Sequence, residues 1–350
     1  MGQTPAQRTE CLTVRDLPPP PEGRTGWPWT DYRPDVLPAG HDGPWPKITV
    51  VTPSYMQGEF LEQTIRSVLL QNYPNLEYFV LDGGSTDRSR EIIEKYSPWL
   101  AGWRCEKDAG QAAAVNEGWA SATGDVLAWI NSDDWYHPGA LAAVGPLFRE
   151  AQLVAWASGS VDDCASDGTY LRRHPAWPTS LAAAIGFHQS GYYQPGMFWS
   201  RSLVEKIGPL DEKSHLCFDL DFWARSLVAG FAMAPVDVPI ACFRQHSASK
   251  SSSQFEAVIA ESRAVFERYA AALSPAEHSQ SAAWLREYAA ELLLHILYGH
   301  LQESRKDQAR AILLREWRTV LALRPWKLAL GVLYRVLISG RSPNWFSKLP

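Results

Sequence analysis

The sequence predicts an α/β protein with a doubly wound, mostly parallel sheet. From Lys47 onward, short apolar segments alternate with longer segments whose apolar side chains recur at helical spacing. This alternation is typical of strand–helix–strand units, which give a parallel sheet covered by helices. In addition, aspartates follow several of the apolar segments, at the strand ends where such sheets bind ligands. Together these observations predict a polar cleft along one edge of the sheet.

The predicted elements follow one another closely in the first part of this sheet. In chain order they are strand 48–53, helix 58–72, strand 76–82, helix 85–96, strand 103–108, helix 110–122 and strand 125–130. The helix over 85–96 is expected to begin at Ser85 or Thr86, because hydroxyl side chains are favoured N-caps. Beyond about residue 160 the pattern is mixed, with a helix predicted over 219–230 and a strand within 233–244.

The same patterns divide the chain into three parts. They are an extended N-terminal arm at 1–46, a sheet domain at 47–250 with halves at 47–135 and 136–250, and a helical C-terminal extension at 251–350. The arm is rich in proline, glycine and tryptophan and shows no period. We expect it to pack on the sheet domain through Trp27, Trp29 and Trp45.

Composition excludes several classes of protein. Hydrophobic residues make up 46% of the 350 residues and charged residues 20%, so a packed domain is expected rather than disorder. A net charge of −5 gives no whole-chain case for nucleic acid binding. The five cysteines are scattered without a CxxC pair, which predicts neither a zinc site nor a disulfide framework. A reducing compartment, hence the cytoplasm, is expected, since no secretory signal or uncharged membrane-spanning run is evident.

The segment NSDD, residues 131–134, is the first candidate for chemistry. Asp133 and Asp134 follow a buried strand, where adjacent carboxylates repel each other and are costly to bury unpaired. Paired carboxylates that face solvent on one side suit a hard divalent cation that also binds phosphate oxygens. The structural alternative is a helix cap before residues 137–144.

A second candidate is VLDGGSTD, in which Asp82 ends a strand before a diglycine turn and Ser85. A carboxylate here can accept hydrogen bonds from a base or ribose. The structural alternative is a plain strand-to-helix turn whose Asp87 is favoured by the helix dipole. Neither GxGxxG nor a P-loop lysine is present, so a dinucleotide fold is disfavoured.

Three further segments carry polar side chains at predicted element ends. Asp108 and Gly110 precede a helix whose start can face phosphate or sugar, and Gln111 and Asn116 lie on that helix. For the two amides, an exposed helix face is an equally good explanation.

The segment FDLDFWARS places two aspartates near a helix start, where a carboxylate facing the cleft can act as a general base. We expect one of Asp219 and Asp221 to take that role and the other to cap the helix or pair with Arg225. His246 follows a predicted strand and can complete a metal or phosphate site, although a lone histidine is more often structural.

In this order, the segments resemble the family 2 glycosyltransferases of the GT-A fold. The matching segments are VTPSYMQGEFLEQTIRSVLLQNYPNLEYFVLDGGSTDRS, DAGQAAAVNEGWASATGDVLAWINSDDWYHPGAL, GPLDE, FDLDFWAR and FRQHSASKS, within roughly residues 46–250. The resemblance implies Asp133 near the ribose and Asp134 on Mg²⁺ or Mn²⁺, with His246 near the metal or diphosphate. It implies Asp219 as the base, although many members carry Glu-Asp where this chain has Phe218-Asp219.

The resemblance also implies a donor pocket and a reaction. Donor-binding positions would be Pro53, Tyr55, Asp82, Ser85, Asp108, Gly110, Gln111 and Asn116, besides Asp133. The implied reaction is inverting transfer of a sugar from a nucleotide-diphosphate sugar, with a UDP-sugar expected, to a hydroxyl of a glycan or lipid-linked glycan in surface polysaccharide synthesis. Two alternatives stay open: a nucleotidyltransferase, and a non-catalytic carbohydrate- or nucleotide-sugar-binding protein.

Two regions bear on the acceptor. Candidate acceptor-side residues are Trp177, His188, Tyr192, Tyr193 and Gln194, each of which also fits a packed loop. The segment 303–350 contains ten lysines and arginines against three acidic residues. Its helix over 326–341 can lie peripherally in a membrane interface with its bases near anionic headgroups, or pack its wide apolar face on the rest of the chain.

Overall fold

The computed structural model describes residues 11–31, 44–149, 154–177, 179–187, 193–246, 254–302, 305–320 and 326–339. Within it the chain divides into two compact units. The first comprises Met1–Pro178 with Gly191–Gln245, and the second comprises Thr179–Ser190 with His246–Pro350. His188 and Tyr192, two of the expected acceptor-side residues, lie outside the described residues.

The first unit is built on a mixed sheet whose nine strands are β1 (Ile48–Ser54), β2 (Leu76–Asp82), β3 (Gly102–Cys105), β4 (Val126–Trp129), β5 (Trp135–Tyr136), β6 (Trp156–Ala165), β7 (Tyr170–His174), β8 (Met197–Ser200) and β9 (Met233–Gln245). Their order is β3-β2-β1-β4-β8-β6-β9-β5, and β7 pairs with β6. The half from β3 to β4 is parallel, as predicted. Antiparallel β8 joins this half to β6, which runs parallel to β9.

Six of the described α-helices belong to the first unit. They are α1 (Leu61–Leu69), α2 (Ser89–Tyr96), α3 (Gln111–Ser121), α4 (Ala140–Val144), α6 (Arg201–Ile207) and α7 (Phe218–Val228), whereas α5 (Leu181–Ile185) falls in the second unit. Every residue of β1 is buried, because helices cover both faces of this central strand. The predicted α/β class is therefore confirmed.

The start of α2 differs from the prediction. The helix begins at Ser89, and neither Ser85 nor Thr86 caps it. Ser85 instead donates its hydroxyl to Asp82 Oδ2 over 2.7 Å and accepts the Met56 backbone N–H over 2.7 Å. A serine can bond a neighbouring turn as readily as a helix end, so sequence spacing alone did not separate the two outcomes.

An aromatic cluster joins the sheet to the helices that border its cleft. Trp129 of β4 stacks on Trp199 of β8 with ring centroids 4.7 Å apart. Trp119 of α3 meets both tryptophans edge-on and also packs on Phe222 of α7. These buried rings fix α3 and α7 against the same two strands, so residues at the starts of both helices face one region.

Residues 11–31 pack on the sheet through a buried arginine. Arg66 of α1 is fully buried and donates to the backbone carbonyls of Pro18, Pro28 and Trp29. Trp29 is buried, and Trp27 Nε1 donates to the Tyr136 carbonyl over 2.8 Å. Residues 11–31 are thus held by hydrogen bonds as well as by Trp27 and Trp29.

The second unit is helical in the part that the structure describes. Besides α5 it contains α8 (Phe255–Tyr269), α9 (Pro275–Gln302), α10 (Lys306–Val320) and α11 (Trp326–Tyr334), and α11 continues into a wider helical turn at Arg335–Ser339. Val332 and Val336 are buried in a core with residues of α9 and α10. Among the described residues, no helix has both the length and the apolar character needed to cross a membrane.

Candidate active site

The predicted cleft residues lie at the carboxyl ends of the parallel strands. Ser54 at the end of β1 is in register with Asp82 at the end of β2, and Asp82 is in register with Cys105 at the end of β3. Pro53 is buried within β1, whereas Tyr55, just beyond the strand, is 64% exposed. Tyr55 therefore presents its ring to solvent at the edge where ligands bind in such sheets.

Asp82 anchors the turn after β2. Its fully buried carboxylate accepts the backbone N–H groups of Gly84 and Ser85 as well as the Ser85 hydroxyl. Cys105 Sγ lies 3.2 Å from Oδ1. These bonds compensate the cost of burying the charge, so Asp82 shapes the turn before it contacts any ligand.

Asp108 lies against the same turn. Its carboxylate pairs with Arg104 over 3.0 Å and accepts the Gly110 N–H over 2.9 Å. A Cβ built on Gly83 would stand 3.2 Å from Asp108 Oδ1 and 3.3 Å from the Tyr55 ring. Glycine at position 83 therefore lets Tyr55 and Asp108 approach each other.

The start of α3 connects this group to the acidic pair. Gln111, the first residue of α3, donates its amide to Asn131 Oδ1 over 2.6 Å, and Asn131 Nδ2 lies 3.4 Å from Asp134 Oδ2. The Asn116 side chain is bonded to a different segment. Its amide bonds both backbone groups of Leu210 and the Glu212 carboxylate, which fixes the loop ahead of α7.

Asp133 and Asp134 differ sharply in environment. Asp133 is partly exposed, whereas Asp134 is 1% exposed and accepts the Arg244 backbone N–H at Oδ1 over 2.9 Å. Burial and then the neighbouring Asp133 carboxylate raise the pKa of Asp134 well above its usual value. Neither aspartate caps α4, which begins at Ala140. A nearby positive charge would therefore stabilise the ionised pair.

These side chains fit a hard divalent cation. Carboxylate oxygens are the ligands that Mg²⁺ and Mn²⁺ prefer in proteins. Oδ2 of Asp134 has only the long contact to Asn131 among its hydrogen bonds in the described structure, and Asp133 reaches solvent. The pair thus offers oxygens of the right chemistry, with a charge repulsion that a cation would remove.

Arg244 holds the acidic loop and was missed by the sequence analysis. Its buried guanidinium donates to the carbonyls of Asp133 and Ser166 and to Gln63 Oε1. Its Cζ lies 4.4 Å from the centre of the Trp135 ring and 4.6 Å from that of Phe60. The only signal in the sequence was an arginine within the otherwise apolar strand IACFRQ.

The two aspartates of α7 also differ. Asp221 is 1% exposed and pairs with Arg225 over 2.9 Å, and Arg225 in turn binds the backbone carbonyls of Ile207 and Pro209. Asp219 is partly exposed in the first turn of the helix. Phe218 is buried and packs on Trp129, with ring centroids 6.1 Å apart. It occupies the position where many members of the resembled family carry Glu.

The remaining predicted residues are placed as follows. His246 is partly exposed and directly follows the last residue of β9. Gln194 is buried and donates to the Trp129 carbonyl over 2.7 Å, and Tyr193 stacks on His174 with centroids 3.9 Å apart. Trp177 is exposed. The bonds of Gln194 and Tyr193 are those of a packed loop, so their contact with an acceptor stays a prediction.

Comparison with known proteins identifies the family that this chain resembles. The sequence model of Glycosyl transferase family 2 matches residues 49–208. That range includes every predicted donor-side residue and the acidic pair, whereas Asp219, Arg244 and His246 follow it. S. aureus TarS 1–349, in a crystal structure with UDP-GlcNAc, superposes with a TM-score of 0.51 at 17% identity, covering 87% of this chain and 83% of that one. This likeness shows the fold.

Curated relatives agree with the family match. An uncharacterized glycosyltransferase of Mycobacterium tuberculosis (strain CDC 1551 / Oshkosh) is 32% identical over 52% of this chain and 69% of its own length. One from Nostoc sp. (strain PCC 7120) is 28% identical over 47% and 54%. TuaG of Bacillus subtilis (strain 168), whose name proposes a role in teichuronic acid biosynthesis, is 31% identical over 39% and 55%. The chain thus spans between about half and seven-tenths of these relatives.

The position of Arg244 generates a prediction. Arg244→Lys keeps the charge but loses the planar fork, so it should leave the Asp133 and Ser166 carbonyls short of donors. We expect a loss of about 2–4 kcal/mol in the free energy of unfolding, together with weakened Mn²⁺ binding in calorimetric titration.

Arg66→Lys is the matched control for this change. Arg66 is equally buried and also binds backbone carbonyls, but those carbonyls belong to the N-terminal arm. It should lower stability to a similar extent and leave Mn²⁺ binding intact. Equal Mn²⁺ affinity in the two variants would contradict the role given to Arg244.

Proposed function

The chain belongs to glycosyl transferase family 2, and we propose that it is a metal-dependent, inverting glycosyltransferase. It would move a sugar from a nucleotide-diphosphate sugar to a hydroxyl of a glycan or lipid-linked glycan. The observation that carries the proposal is one continuous set of polar contacts. It runs from Asp108 through Gly110, Gln111 and Asn131 to Asp134, along the carboxyl edge of the sheet.

On the donor side, the exposed Tyr55 ring and the turn anchored by Asp82 would receive the nucleotide. Gly83 allows the Tyr55 ring to approach Asp108, since a Cβ there would stand only 3.2 Å from Asp108 Oδ1 and 3.3 Å from the ring, and this brings the exposed ring beside the polar edge of the site. Gly110, with a positive φ of 118°, opens α3, and Gln111 stands beside Asn131. Helix starts and amide groups of this kind suit phosphate and sugar oxygens. Donor-binding roles for Pro53, Ser85 and Asn116 are proposed from the family resemblance.

Asp133 and Asp134 would hold Mg²⁺ or Mn²⁺, with His246 as a further ligand proposed from the resemblance. The cation supplies positive charge for the diphosphate that leaves the sugar. Arg244 contributes differently, because its backbone N–H fixes Asp134 and its guanidinium fixes the Asp133 carbonyl. The chain therefore presents the carboxylates in one arrangement before any ligand arrives.

Asp219 is proposed as the general base that removes the proton of the acceptor hydroxyl. The difference in exposure supports this choice, since the Asp221 carboxylate is buried in an ion pair with Arg225. The oxygen freed of its proton attacks the anomeric carbon opposite the leaving diphosphate, which inverts that centre. Phe218 packs against Trp129 and so ties the start of α7, with Asp219, to strand β4.

The substrate class is proposed from the relatives. TarS 1–349 was crystallised in complex with UDP-GlcNAc, and the name of TuaG refers to teichuronic acid biosynthesis. A UDP-sugar donor and a surface polysaccharide acceptor are therefore the first substrates to test. A thermal-shift screen of nucleotide sugars, followed by measurement of UDP release with and without Mn²⁺, tests the activity directly. Absence of both stabilisation and release across the screen would contradict it.

Metal dependence is tested by Asp134→Asn. Asparagine retains an oxygen that can accept the Arg244 N–H, and it removes a buried charge, so the fold should persist. We expect the Mn²⁺-induced rise in melting temperature to disappear and transfer to fall by at least about 10²-fold, because an amide is a weak ligand for a hard cation.

Asp125→Asn serves as the control, since Asp125 directly precedes β4 and so lies at the amino end of that strand, whereas Asp134 lies beyond its carboxyl end. It should retain both the Mn²⁺ response and the activity. Full wild-type activity in excess EDTA would refute the proposed metal.

The base is tested by comparing two aspartates on one helix. Asp219→Asn should lower kcat by about 10²-fold or more and leave donor affinity nearly unchanged, because the base acts only in the chemical step. Asp221→Asn should instead lower the free energy of unfolding by about 3–5 kcal/mol, because it leaves Arg225 without its buried partner. The reverse pattern would assign the base to Asp221.

We further propose that the second unit contacts anionic membrane surfaces. Large apolar side chains of α10, α11 and the turn that follows are exposed, from Leu314 at 69% and Trp317 to Tyr334 and Ile338 at 66%. Arg310 donates to the Leu337 carbonyl, which fixes α10 to that turn. Exposed Arg315 and Arg318 lie beside these side chains in sequence. Apolar and cationic groups in one region suit a lipid interface.

Vesicle sedimentation tests this contact. The protein should pellet with phosphatidylserine-containing vesicles at low salt, less at high salt, and not with neutral vesicles. The double change Leu314→Ser with Trp317→Ser should reduce pelleting several-fold, because each serine removes apolar area from the interface. Tyr170→Ser, which removes an equally exposed ring from the first unit, should not. If all three proteins stay in the supernatant, the membrane contact is wrong.

A further inference from the structure

A second group of potential metal ligands contains none of the residues proposed to hold the catalytic cation. His137, Asp162 and Cys242 place one nitrogen, one oxygen and one sulfur within 4.8 Å of one another. They line a cavity of about 560 Å³ together with Cys164. We call these four residues the thiol cluster. His137 follows β5 whereas Asp133 and Asp134 precede it, so the two residues of that strand, Trp135 and Tyr136, separate the two groups in the chain.

Two distances measured in the thiol cluster are close to those between the ligands of one metal ion. His137 Nε2 lies 3.1 Å from Asp162 Oδ2 and 3.3 Å from Cys242 Sγ. Ligands of a tetrahedral zinc ion, with bonds of about 2.0–2.3 Å, stand roughly 3.3–3.8 Å from one another. Small movements of these side chains would therefore admit the ion without any rearrangement of the backbone.

Cys164 is the candidate for a fourth ligand, because it lines the same cavity and packs in one buried cluster with Cys242 and Trp135. Its sulfur is not among the three ligand atoms that lie within 4.8 Å of one another. The two thiols meet because β6 and β9 are parallel neighbours, with Asp162 in register with Cys242 and Cys164 two residues further along β6. Two sulfurs, one imidazole nitrogen and one carboxylate oxygen are all donors that Zn²⁺ accepts in four-coordinate sites.

The cluster is supported by groups around it. The backbone of His137 is held on both sides. Its backbone N–H donates to the Ile240 carbonyl over 2.8 Å, and its backbone carbonyl accepts a hydrogen bond from the Gln71 side-chain amide. Arg173 donates to both oxygens of Asp162, through Nε to Oδ1 over 2.7 Å and through Nη2 to Oδ2 over 3.0 Å. Such partners orient ligands in known metal sites, and Arg173 can stay on Oδ1 when Oδ2 turns to an ion.

We infer that the thiol cluster is a structural site for Zn²⁺, distinct from the hard cation proposed at Asp133 and Asp134. Binding would release the two thiol protons of Cys164 and Cys242 to solvent as both sulfurs become thiolates. The ion would join β6, β9 and the residue after β5. Because β9 also carries Arg244, zinc would stabilise the segment that holds the acidic loop. The inference does not depend on the sugar or the acceptor.

Cobalt substitution tests the site on the whole protein. The protein, purified with a reductant and stripped of metal with a chelator, is titrated with Co²⁺ in the presence of excess Mg²⁺. We expect one equivalent to give the intense visible bands of tetrahedral cobalt and a near-ultraviolet thiolate charge-transfer band, both abolished by one equivalent of Zn²⁺. Wild-type protein that binds Co²⁺ without these bands, or does not bind it, would overturn the inference.

Variants identify the ligands. Cys242→Ser should weaken Zn²⁺ binding by at least about tenfold and remove most of the charge-transfer intensity. Cys164→Ser should reduce that intensity by about half. Cys11→Ser, which makes the same change at a half-buried cysteine outside the cluster, should leave the spectrum and the Zn²⁺-induced rise in melting temperature unchanged. Should Cys242→Ser fail to fold, His137→Gln provides the same loss of affinity with both thiols retained, and an unchanged spectrum in it contradicts the assignment.

Discussion

The guanidinium of Arg244 is the group on which the candidate active site depends. Arg244 as a whole is 3% exposed, so its guanidinium has lost nearly all of its hydration. Its nitrogens reach three acceptors from different parts of the chain: the carbonyls of Asp133 and Ser166, and the side chain of Gln63. Ring faces of Phe60 and Trp135 enclose it. Burial lowers the pKa of Arg244, while the carboxylates of Asp134 and Asp133 oppose that shift. The buried guanidinium and the buried carboxylate thus each lower the free-energy cost of burying the other.

The sequence was informative where a pattern is local. Strands and helices between residues 48 and 130 follow from apolar spacing, because one face or both must be buried by neighbours. The position of Asp82, Asp108, Asp133 and Asp134 at one edge follows from the parallel arrangement alone. Asp221 and Arg225 were also predictable as a pair, since they lie one helical turn apart.

Contacts between distant segments were not predictable in this way. Asn116 had the position of a cleft residue on α3, yet its amide is committed to the loop at Leu210 and Glu212. Arg244 looked like an isolated charge in an apolar strand, because its partners lie near residues 63, 133 and 166. The thiol cluster was not predictable from cysteine spacing for the same reason. Its members come from separate strands that become neighbours only when β6 pairs with β9.

The late position of β9 in the chain has a consequence for folding. The bond from Arg244 to Asp134 joins residues 110 positions apart, whereas β1 and β2 are linked by a single short helix. Closing so long a loop costs entropy that only later contacts repay, so pairings of this kind form late. The parallel half from β3 to β4 can therefore fold before Arg244 binds the loop that carries Asp133 and Asp134. In a chain emerging from the ribosome, the proposed donor-side scaffold would therefore precede the proposed metal site, whose acidic loop gains its Arg244 anchor only after β9 has been synthesised.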